Sequence, residues 1–439
     1  MSSFGAPRSK ISYARISQMQ LDAIVSRHEM LFSGRLGGAR AVLAFTDLTG
    51  LNLSGRNLSD ADFTGAVIAD ADLTETCLDN AILFGCDLRR TELSRASLRR
   101  ADLRGSCLRG ARLEGADLFE CDLREGLIAE KDHGGNLRFL RHDLGPSEMP
   151  AALLTNANLE RARMTGVMAL QADFSDAILR GARLVRANLR QANFSGAILE
   201  GADLSGANLS GANFASAVLI GTRMEMAVTD GADMAGALTD RPQGQALEDL
   251  ADPFSEIVER HQLWVDTDGR EGRPAMLARA DVRAARSLAH MRLTALAANR
   301  AVFYGLDMTA VKLQGAQLAG ADLRGTKLCG ADLRGANLFG AKLSNADLRD
   351  ANLGALLIAN DRLLPANCAE LVARYADFRG ASLDHAALTS ADLSYSNFVG
   401  ASLKGTDFRD ATLTGAQIAH SAFRQSRFEG ALGVKLLKA

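Results

Sequence analysis

Aromatic residues and proline are scarce in this sequence. Aromatics make up 5% of the 439 residues, with a single tryptophan among them, and there are 7 prolines. Large rings normally contribute much of the buried area of a globular core, whereas here alanine and leucine carry most of the apolar content. This composition predicts a narrow, repetitive interior instead of a conventional globular core.

The sequence also lacks an excess of either charge. Lys and Arg number 50 against 52 Asp and Glu, a formal net charge of -2, so there is no overall basic surface for nucleic acid. Ser2 to Lys10 are polar and no apolar segment follows them as in a secretory leader. No run of ~20 apolar residues predicts a membrane span. We therefore expect a cytoplasmic protein without a membrane span or direct nucleic-acid binding.

Recognisable catalytic chemistry is missing as well. The six cysteines have no CxxC or metal-ligand spacing, and we expect them to be small, buried or half-buried residues in a reducing compartment. No nucleophile, P-loop, dinucleotide-binding or zinc-hydrolase motif occurs. The sequence therefore predicts no catalytic residue, no metal site and no cofactor, in a protein that is not an enzyme.

A five-residue repeat fills most of the chain. Every fifth residue from Leu48 to Ile128 is apolar, and two positions earlier the residue is usually alanine, as in Ala101-Asp-Leu-Arg-Gly105. The same register, shifted by one residue, runs from Leu154 to Met234 and resumes at about Leu288–Ile358 and Phe378–Phe428. This period fits neither a 3.6-residue helix nor the two-residue alternation of a strand.

Phenylalanines within the repeat recur at a longer interval. A five-residue step with two inward positions and one bend would close a square in four steps, or about 20 residues per coil. Outward asparagines follow this spacing, as at Asn193 and Asn213, and would form side-chain ladders. The phenylalanines that would stack in the structural core are Phe174, Phe194, Phe214, Phe378, Phe398, Phe408 and Phe428.

These features resemble the pentapeptide-repeat family from about Leu48 to Phe428. The resemblance implies an all-β solenoid, a right-handed quadrilateral β-helix of pentapeptide repeats. In such a fold the central Leu or Phe and the preceding small residue fill the interior. If the coils stack at the usual ~4.8 Å strand spacing, about fifteen of them would make a rod roughly 70 Å long.

A slower repeat indicates two tandem modules. Leu21 to His28 matches Phe254 to His261, and Gly-rich turns begin at Gly34 and Gly269. The sequence is compatible with one continuous rod or with a hinge near Asp240–Asp252. We predict an N-terminal segment and capping helix at 1–45, a first β-helix at 46–240 with a loop insertion at 129–150, a linker and second capping helix at 241–276, and a second β-helix at 277–439 with an insertion at 359–375.

Each short capping α-helix would lay an apolar stripe on the first coil of its module and protect the open edge. Ser17 and Gln20 match a capping box, while Asp252 and Pro253 suit the N-cap and first position of the second helix. We interpret the recurring histidines as structural residues that are hydrogen-bonded to neighbouring backbone. The residues assigned to the caps are His28, His261 and Trp264.

The insertion at 129–150 is the candidate partner-binding loop. Loops on a rigid scaffold often carry function, and the spacing of these side chains does not define a metal site. The candidate residues are Asp132, His133, Arg138, Arg141, His142 and Asp143.

The leading functional hypothesis is a non-catalytic scaffold or adaptor that presents a rigid β-helical surface to a protein partner. Duplication would offer two similar docking sites and hence avidity. A second hypothesis is self-assembly of a structural protein into a homo-oligomer, through coil edges that remain open.

A third hypothesis follows from the family resemblance, because some pentapeptide-repeat proteins mimic duplex DNA and bind DNA gyrase. A ~70 Å mimic would need about forty acidic charges in excess. Here many aspartates precede an arginine two positions later, an exposed pairing worth ~0–1 kcal/mol, and Arg89 to Arg112 is a basic stretch. Examples of the pairing are Asp102 with Arg104, Asp122 with Arg124, Asp322 with Arg324 and Asp332 with Arg334.

Overall fold

The chain folds as two compact units, Met1–Arg241 (unit 1) and Pro242–Ala439 (unit 2). The structure is a computed structural model, and it describes residues 13–126, 129–131, 137–139, 147–358, 362–419, 425–434 and 436–437. Each unit contains a short helix, a long series of five-residue steps and an antiparallel hairpin.

Parallel bridges join residues that are twenty positions apart. Ile82 bridges Asp102, which in turn bridges Asp122. The Leu103 N–H donates to the Asp122 carbonyl (2.8 Å), and the Asp122 N–H donates to the Ala101 carbonyl (3.0 Å). We call the stretch between two bridged residues a coil. Four columns of such bridges recur along each unit, so each coil consists of four five-residue steps.

One step, Ala101-Asp-Leu-Arg-Gly105, explains why this sequence repeats. Ala101 and Leu103 are fully buried, whereas the side chains between and after them face outward. Gly105 ends the step with φ 66°, a left-handed conformation that glycine adopts without a Cβ clash. The Ser106 N–H then donates to the Leu103 carbonyl (3.1 Å) and closes the turn. The bend therefore recurs wherever a left-handed residue follows the two buried ones.

The phenylalanines lie directly above one another in the interior. Phe194 is parallel to Phe174 at 4.9 Å between ring centroids and to Phe214 at 5.0 Å, and all three are fully buried. Unit 2 has a similar pair, Phe378 and Phe398, at 4.7 Å. Phe408 is also buried, but Phe428 above it is only partly so. Leucines and alanines fill the rest of both cores.

Helix α1, Gln18–Phe32, covers the first coil of unit 1. Its capping box is present as predicted, because Gln20 Oε1 accepts from the Ser17 N–H (2.8 Å) while the Ser17 hydroxyl accepts from the Gln20 N–H (3.4 Å). The helix buries Leu21, Val25 and His28. Two short parallel strands accompany it, β1 at Ala14–Arg15 and β2 at Thr46–Asp47.

Helix α2, Phe254–Asp266, has the equivalent place in unit 2 and buries Val258 and His261. Its N-cap is Pro253, one residue later than expected. Asp252 is instead engaged by two arginines, Arg260 at 2.7 Å and Arg273, so its carboxylate is not free to cap the helix. The neighbouring elements are parallel strands β5, Gln245–Ala246, and β6, Ala280–Asp281, with 3-10 turns at Leu247–Asp249 and Arg283–Ala285.

A hairpin interrupts the coils of unit 1. Strand β3, Ala129–Lys131, pairs antiparallel with β4, Leu137–Phe139. Across this insertion Cys107 bridges Glu148, which lies 41 positions later instead of 20. The coil therefore holds 21 additional residues, one more than four complete steps, and this explains the one-residue shift of the sequence register.

Unit 2 has a hairpin at the corresponding step, with β7 at Leu356–Ile358 and β8 at Arg362–Leu364. Here Asn352 bridges Ser382, 30 positions later, so ten residues are added. Positions 366–375 continue the coil, whereas the predicted insertion was placed at 359–375. Ten residues are two complete steps and leave the register unchanged, so the period could not locate this hairpin.

Two further short strands, β9 at Ile418–Ala419 and β10 at Leu436–Leu437, pair in parallel near the end of unit 2. Neither α1 nor α2, the two α-helices of the described residues, has the length and hydrophobicity needed to cross a bilayer.

Candidate binding surface

Most of the predicted partner-binding loop cannot be placed. Asp132, His133, Arg141, His142 and Asp143 lie outside the described residues. Arg138 belongs to β4, where its backbone is opposite Glu130 of β3. The loop therefore stays a prediction, and the candidate surface lies on the coils.

The described residues contain no candidate metal cluster, and three of the cysteines are buried. No group of three or more His, Cys, Asp and Glu within them is arranged to hold a metal ion. All six cysteines are free, and Cys86, Cys121 and Cys368 are buried. Burial raises the pKa of these three thiols, to about 12 for Cys368. Such thiols stay protonated near neutral pH and are poor nucleophiles.

The two cap histidines are fully buried in the same arrangement. The Ala41 N–H donates to His28 Nδ1 (3.0 Å), and the Ala275 N–H donates to His261 Nδ1 (2.9 Å). Each neutral ring must therefore carry its proton on Nε2, which has no partner in hydrogen-bonding geometry. Burial lowers the pKa of both rings, although backbone interactions with Ser59 and Thr294 oppose the shift. The ring centroids of Trp264 and His261 are 5.7 Å apart.

The outward surface carries a repeated aspartate–arginine clasp. At Asp102, Oδ1 accepts from the backbone N–H of Arg104 (3.2 Å), and the guanidinium then grips both carboxylate oxygens (2.8 and 2.7 Å). Positive and negative charges are therefore held side by side. The same clasp is found within the described residues at Asp87–Arg89, Asp102–Arg104, Asp122–Arg124, Asp281–Arg283, Asp322–Arg324, Asp332–Arg334, Asp347–Arg349, Asp377–Arg379 and Asp407–Arg409.

Two of these clasps are not the exposed pairs that the sequence predicts. The Arg324 and Asp322 side chains are only 5% and 11% exposed, and those of Arg283 and Asp281 are 15% and 4% exposed. Removing one partner of such a pair would leave a desolvated charge, which costs more than breaking a surface pair. The estimate of ~0–1 kcal/mol, which holds for exposed pairs, therefore does not extend to these two pairs.

One open groove on unit 1 differs from the rest of the clasped surface. It has a volume of about 560 Å³ and spans three successive coils. We call it the arginine groove. Its lining residues are Arg100, Ala101, Asp102, Arg104, Glu120, Asp122, Arg161 and Arg163.

In the arginine groove, two arginines have only distant partners. Glu120 is 3.2 Å from Arg100 and 3.6 Å from Arg161. Asp122 is clasped by Arg124 at 2.6 Å and is 3.8 Å from Arg163. Arg163 is thus a second cation on Asp122, and Arg161 is a second cation on Glu120 that also lies 3.8 Å from Glu160.

In the arginine groove Asp122 is recessed, whereas Arg161 and Arg163 are exposed. Arg161 and Arg163 are 63% and 60% exposed, whereas Asp122 is 18% exposed. Burial works to raise the pKa of Asp122, but hydrogen bonds from Arg124 and the nearby positive charges hold it below its usual value. Asp122 therefore stays ionised at neutral pH, and an incoming molecule meets the guanidinium groups first.

Sequence reasoning missed this groove. It identified the basic stretch from Arg89 to Arg112 but had no means of placing Arg161 and Arg163 beside it. The two segments meet because the coil that contains the unit 1 hairpin is 41 residues long. The contact could have been predicted only if the sequence had revealed the length of the hairpin at that step.

Comparison with known families identifies the class of the chain. The model of the family described as "Pentapeptide repeats" matches more than half of it, at 46–85, 81–118, 151–181, 171–206, 197–237, 292–325, 316–354, 374–410 and 391–430. This protein therefore belongs to the pentapeptide-repeat family. No curated protein sequence matches it significantly.

Solved structures of similar sequence include two cyanobacterial proteins. HetL, a pentapeptide repeat protein involved in heterocyst differentiation regulation from Nostoc sp. Strain PCC 7120, is 32% identical over 45% of this chain and 78% of HetL, with a TM-score of 0.28. Rfr23 from Cyanothece 51142 is 28% identical over 29% of this chain and 91% of its own, with a TM-score of 0.23.

A third similar structure is QnrB1, a plasmid-mediated fluoroquinolone resistance protein. It is 20% identical over 46% of this chain and 88% of its own, with a TM-score of 0.26. Scores this low support no functional transfer from any of the three structures.

Proposed function

We propose that this protein is a non-catalytic scaffold whose two units, each a right-handed quadrilateral β-helix, present rigid outward faces to a protein partner in the cytoplasm. The observation that carries the proposal is the clasped surface. Outward aspartates and arginines two positions apart hold each other by bidentate contacts, which are among the more geometrically specific polar contacts. A preorganised surface loses little conformational entropy when a partner binds.

The stacked coils support this role in a second way. Asn213 Nδ2 donates to Asn193 Oδ1 (3.1 Å), and Asn193 Nδ2 donates to Asp173 Oδ1 (3.0 Å). Such ladders fix outward side chains from coil to coil. A surface of this kind suits recognition of shape and charge.

The clasps weigh against mimicry of duplex DNA. A mimic must present unpaired negative charge along its length, whereas in the clasps each aspartate is neutralised by an arginine two residues later. No specific feature of the described residues favours self-assembly over binding to another protein. We therefore propose neither alternative.

The proposal is tested by capture of a partner from native lysate with the tagged full-length chain, at moderate salt and with mass-spectrometric identification. A single partner recovered in fixed stoichiometry, and reconstituted from purified components, is the expected result. Recovery of DNA gyrase subunits would favour DNA mimicry instead. Recovery of this chain alone, as an oligomer, would favour self-assembly.

A further inference from the structure

We propose that the arginine groove of unit 1 is a docking site for an acidic segment of a protein partner, rich in Asp and Glu. This inference rests on the proposed scaffold function and deepens it by naming the site and the chemistry of its ligand. Three features of the groove support it: a local surplus of positive charge, the exposure of that charge, and its absence from the matching position of unit 2.

The charge surplus is local and contrasts with the whole chain. Three carboxylates line the groove, at Asp102, Glu120 and Asp122. Four arginines line it, and Arg124 clasps Asp122 beside it. Glu160 is 3.8 Å from Arg161, so five positive charges face four negative ones and leave a surplus of one, in a chain whose formal net charge is -2.

The surplus is available to a ligand. Arg161 and Arg163 make long ion pairs, at 3.6 and 3.8 Å, with Glu120 and Asp122, which already have a nearer arginine, and Arg161 makes another with Glu160 at 3.8 Å. Arg161 also lies 5.9 Å from the Phe119 ring centroid, which gives its guanidinium an aromatic flank. A carboxylate entering the groove could accept two parallel N–H bonds from either side chain, the geometry that makes arginine selective for carboxylates.

The shape of the groove suits a short peptide segment. Its volume of about 560 Å³ lies within the range that bound ligands occupy. The groove crosses the stacked coils, and Asp102, Asp122 and Arg163 follow one another in successive bridges. The lining residues of the three coils are therefore stacked along one direction, which an extended segment can follow.

The matching position of unit 2 provides an internal control. The bridge series there is Asp332, Asn352 and Ser382, so Asn352 and Ser382 replace Asp122 and Arg163. The counterpart of Arg161 is Gly380, and a Cβ added there would collide with the Asp350 carboxylate. Unit 2 thus has the same backbone step without arginine counterparts of Arg161 and Arg163.

The test is a fluorescence-anisotropy titration of a labelled poly-glutamate peptide with the full-length protein at about 0.05 M salt, where surface charges are only partly screened. We expect binding that weakens as salt is raised. The Arg161→Ala/Arg163→Ala variant should bind at least about fivefold more weakly, because truncating charges at an interface lowers both association rate and affinity. The Arg161→Lys/Arg163→Lys variant should keep part of the affinity.

The matched control is Arg300→Ala/Arg427→Ala in unit 2. Arg300 has the same φ as Arg161, 57°, and Arg427 follows the clasped Asp407 in a bridge, as Arg163 follows Asp122. Both control residues are exposed. Equal losses in the two variants would mean general charge attraction and would overturn the proposal. An unchanged affinity of the groove variant would do the same, as would tighter binding of duplex DNA through the same arginines.

A partner captured from lysate allows the two proposals to be separated. If both the wild type and the groove variant retain the partner equally, the scaffold function stands and the groove assignment is wrong. If no partner is captured while poly-glutamate binding still depends on Arg161 and Arg163, the scaffold function loses its support and the groove remains an acidic-segment site.

Discussion

The same coil step has a different surface in the two units. In unit 1 the bridge series across the hairpin coil is Asp102, Asp122 and Arg163. In unit 2 the equivalent series is Asp332, Asn352 and Ser382. The backbone bonds match, since the Gly105 N–H donates to Arg124 and the Gly335 N–H to Gly354. The interior pattern is shared, whereas the outward charges are not.

This difference indicates that the two inward positions of each step specify the fold and that the outward positions are free to vary. A substitution at an inward or turn position should therefore have a similar effect in both units. A substitution at an exposed outward position should change binding in one unit and stability in neither. The following predictions test this separation, beginning with the largest effect.

The strongest test places a charge in each aromatic column. Phe194→Asp in unit 1 and Phe398→Asp in unit 2 should each lower the free energy of unfolding by at least ~4 kcal/mol, because each loses a buried ring and buries an unpaired carboxylate. Urea denaturation measures the change, with Phe194→Leu as the control, since leucine fills most inward positions. A large effect in only one unit would break the comparison.

The second test adds a methyl group where each cap approaches its turn. A Cβ on Gly38 would collide with the Leu31 backbone, and a Cβ on Gly272 with the carbonyl of Arg260. Each Gly→Ala variant should destabilise its own unit by about 2 kcal/mol or more.

The control for these variants is Gly55→Ala. Gly55 has φ 68° with open space around its Cβ position. The variant should therefore lose only about 1 kcal/mol of stability, the cost of placing alanine in the left-handed conformation. Thermal unfolding of the three variants provides the ranking. A loss at Gly55 equal to the others would show that backbone conformation, and not the close approach, accounts for the effect.

The third test uses pH and the buried cap histidines. The pKa of His28 and of His261 is lowered by burial, so the unfolded chain, with a histidine pKa of about 6.5, binds protons more readily than the folded one. The stability that the two neutral histidines contribute is fully present above about pH 6.5 and is lost as pH falls through their lower folded pKa.

Urea denaturation between pH 8 and pH 5 should therefore show stability falling below about pH 6.5. The variants His28→Ala and His261→Ala should each lose about 1–2 kcal/mol at neutral pH, since Ala41 or Ala275 is left with an unpaired buried N–H. Each variant should also have a shallower pH dependence. An unchanged slope in both would assign the dependence to other groups.

The smallest effect is expected at the exposed arginines. Arg163→Ala and Arg427→Ala should each change the free energy of unfolding by less than ~1 kcal/mol, because exposed ion pairs contribute little and Arg163 is 3.8 Å from Asp122. Thermal melts of both variants measure this. A larger loss at Arg163 would make it a structural residue and would weaken its use as a binding probe.

Sequence periodicity was informative where the place of a residue depends only on its neighbours in the chain. The inward alanines and leucines could be predicted because burial selects small and apolar side chains at two of five positions, as at Ala101 and Leu103. The cap of α1 was predictable from Ser17 and Gln20, which act within one turn. The N-cap of α2 was predicted one residue early, because Asp252 is recruited by Arg273, 21 positions away.

The candidate site was less predictable for the same reason. The unit 2 insertion could not be located because ten residues preserve the five-residue register. The burial of Asp322 and Arg324 also left no mark on the sequence, since the local word there is the same as at exposed Asp102 and Arg104. Identical five-residue sequences therefore differ in burial because their neighbours in space differ.

By itself, the sequence determined the repeat, its family and its inward residues, because steric and hydrophobic preferences act on every five-residue step independently. Tertiary structure decided which outward side chains become neighbours. Arg161 and Arg163 meet Glu120 and Asp122 because the hairpin coil adds 21 residues between them, and charge–charge interactions depend on distance in space.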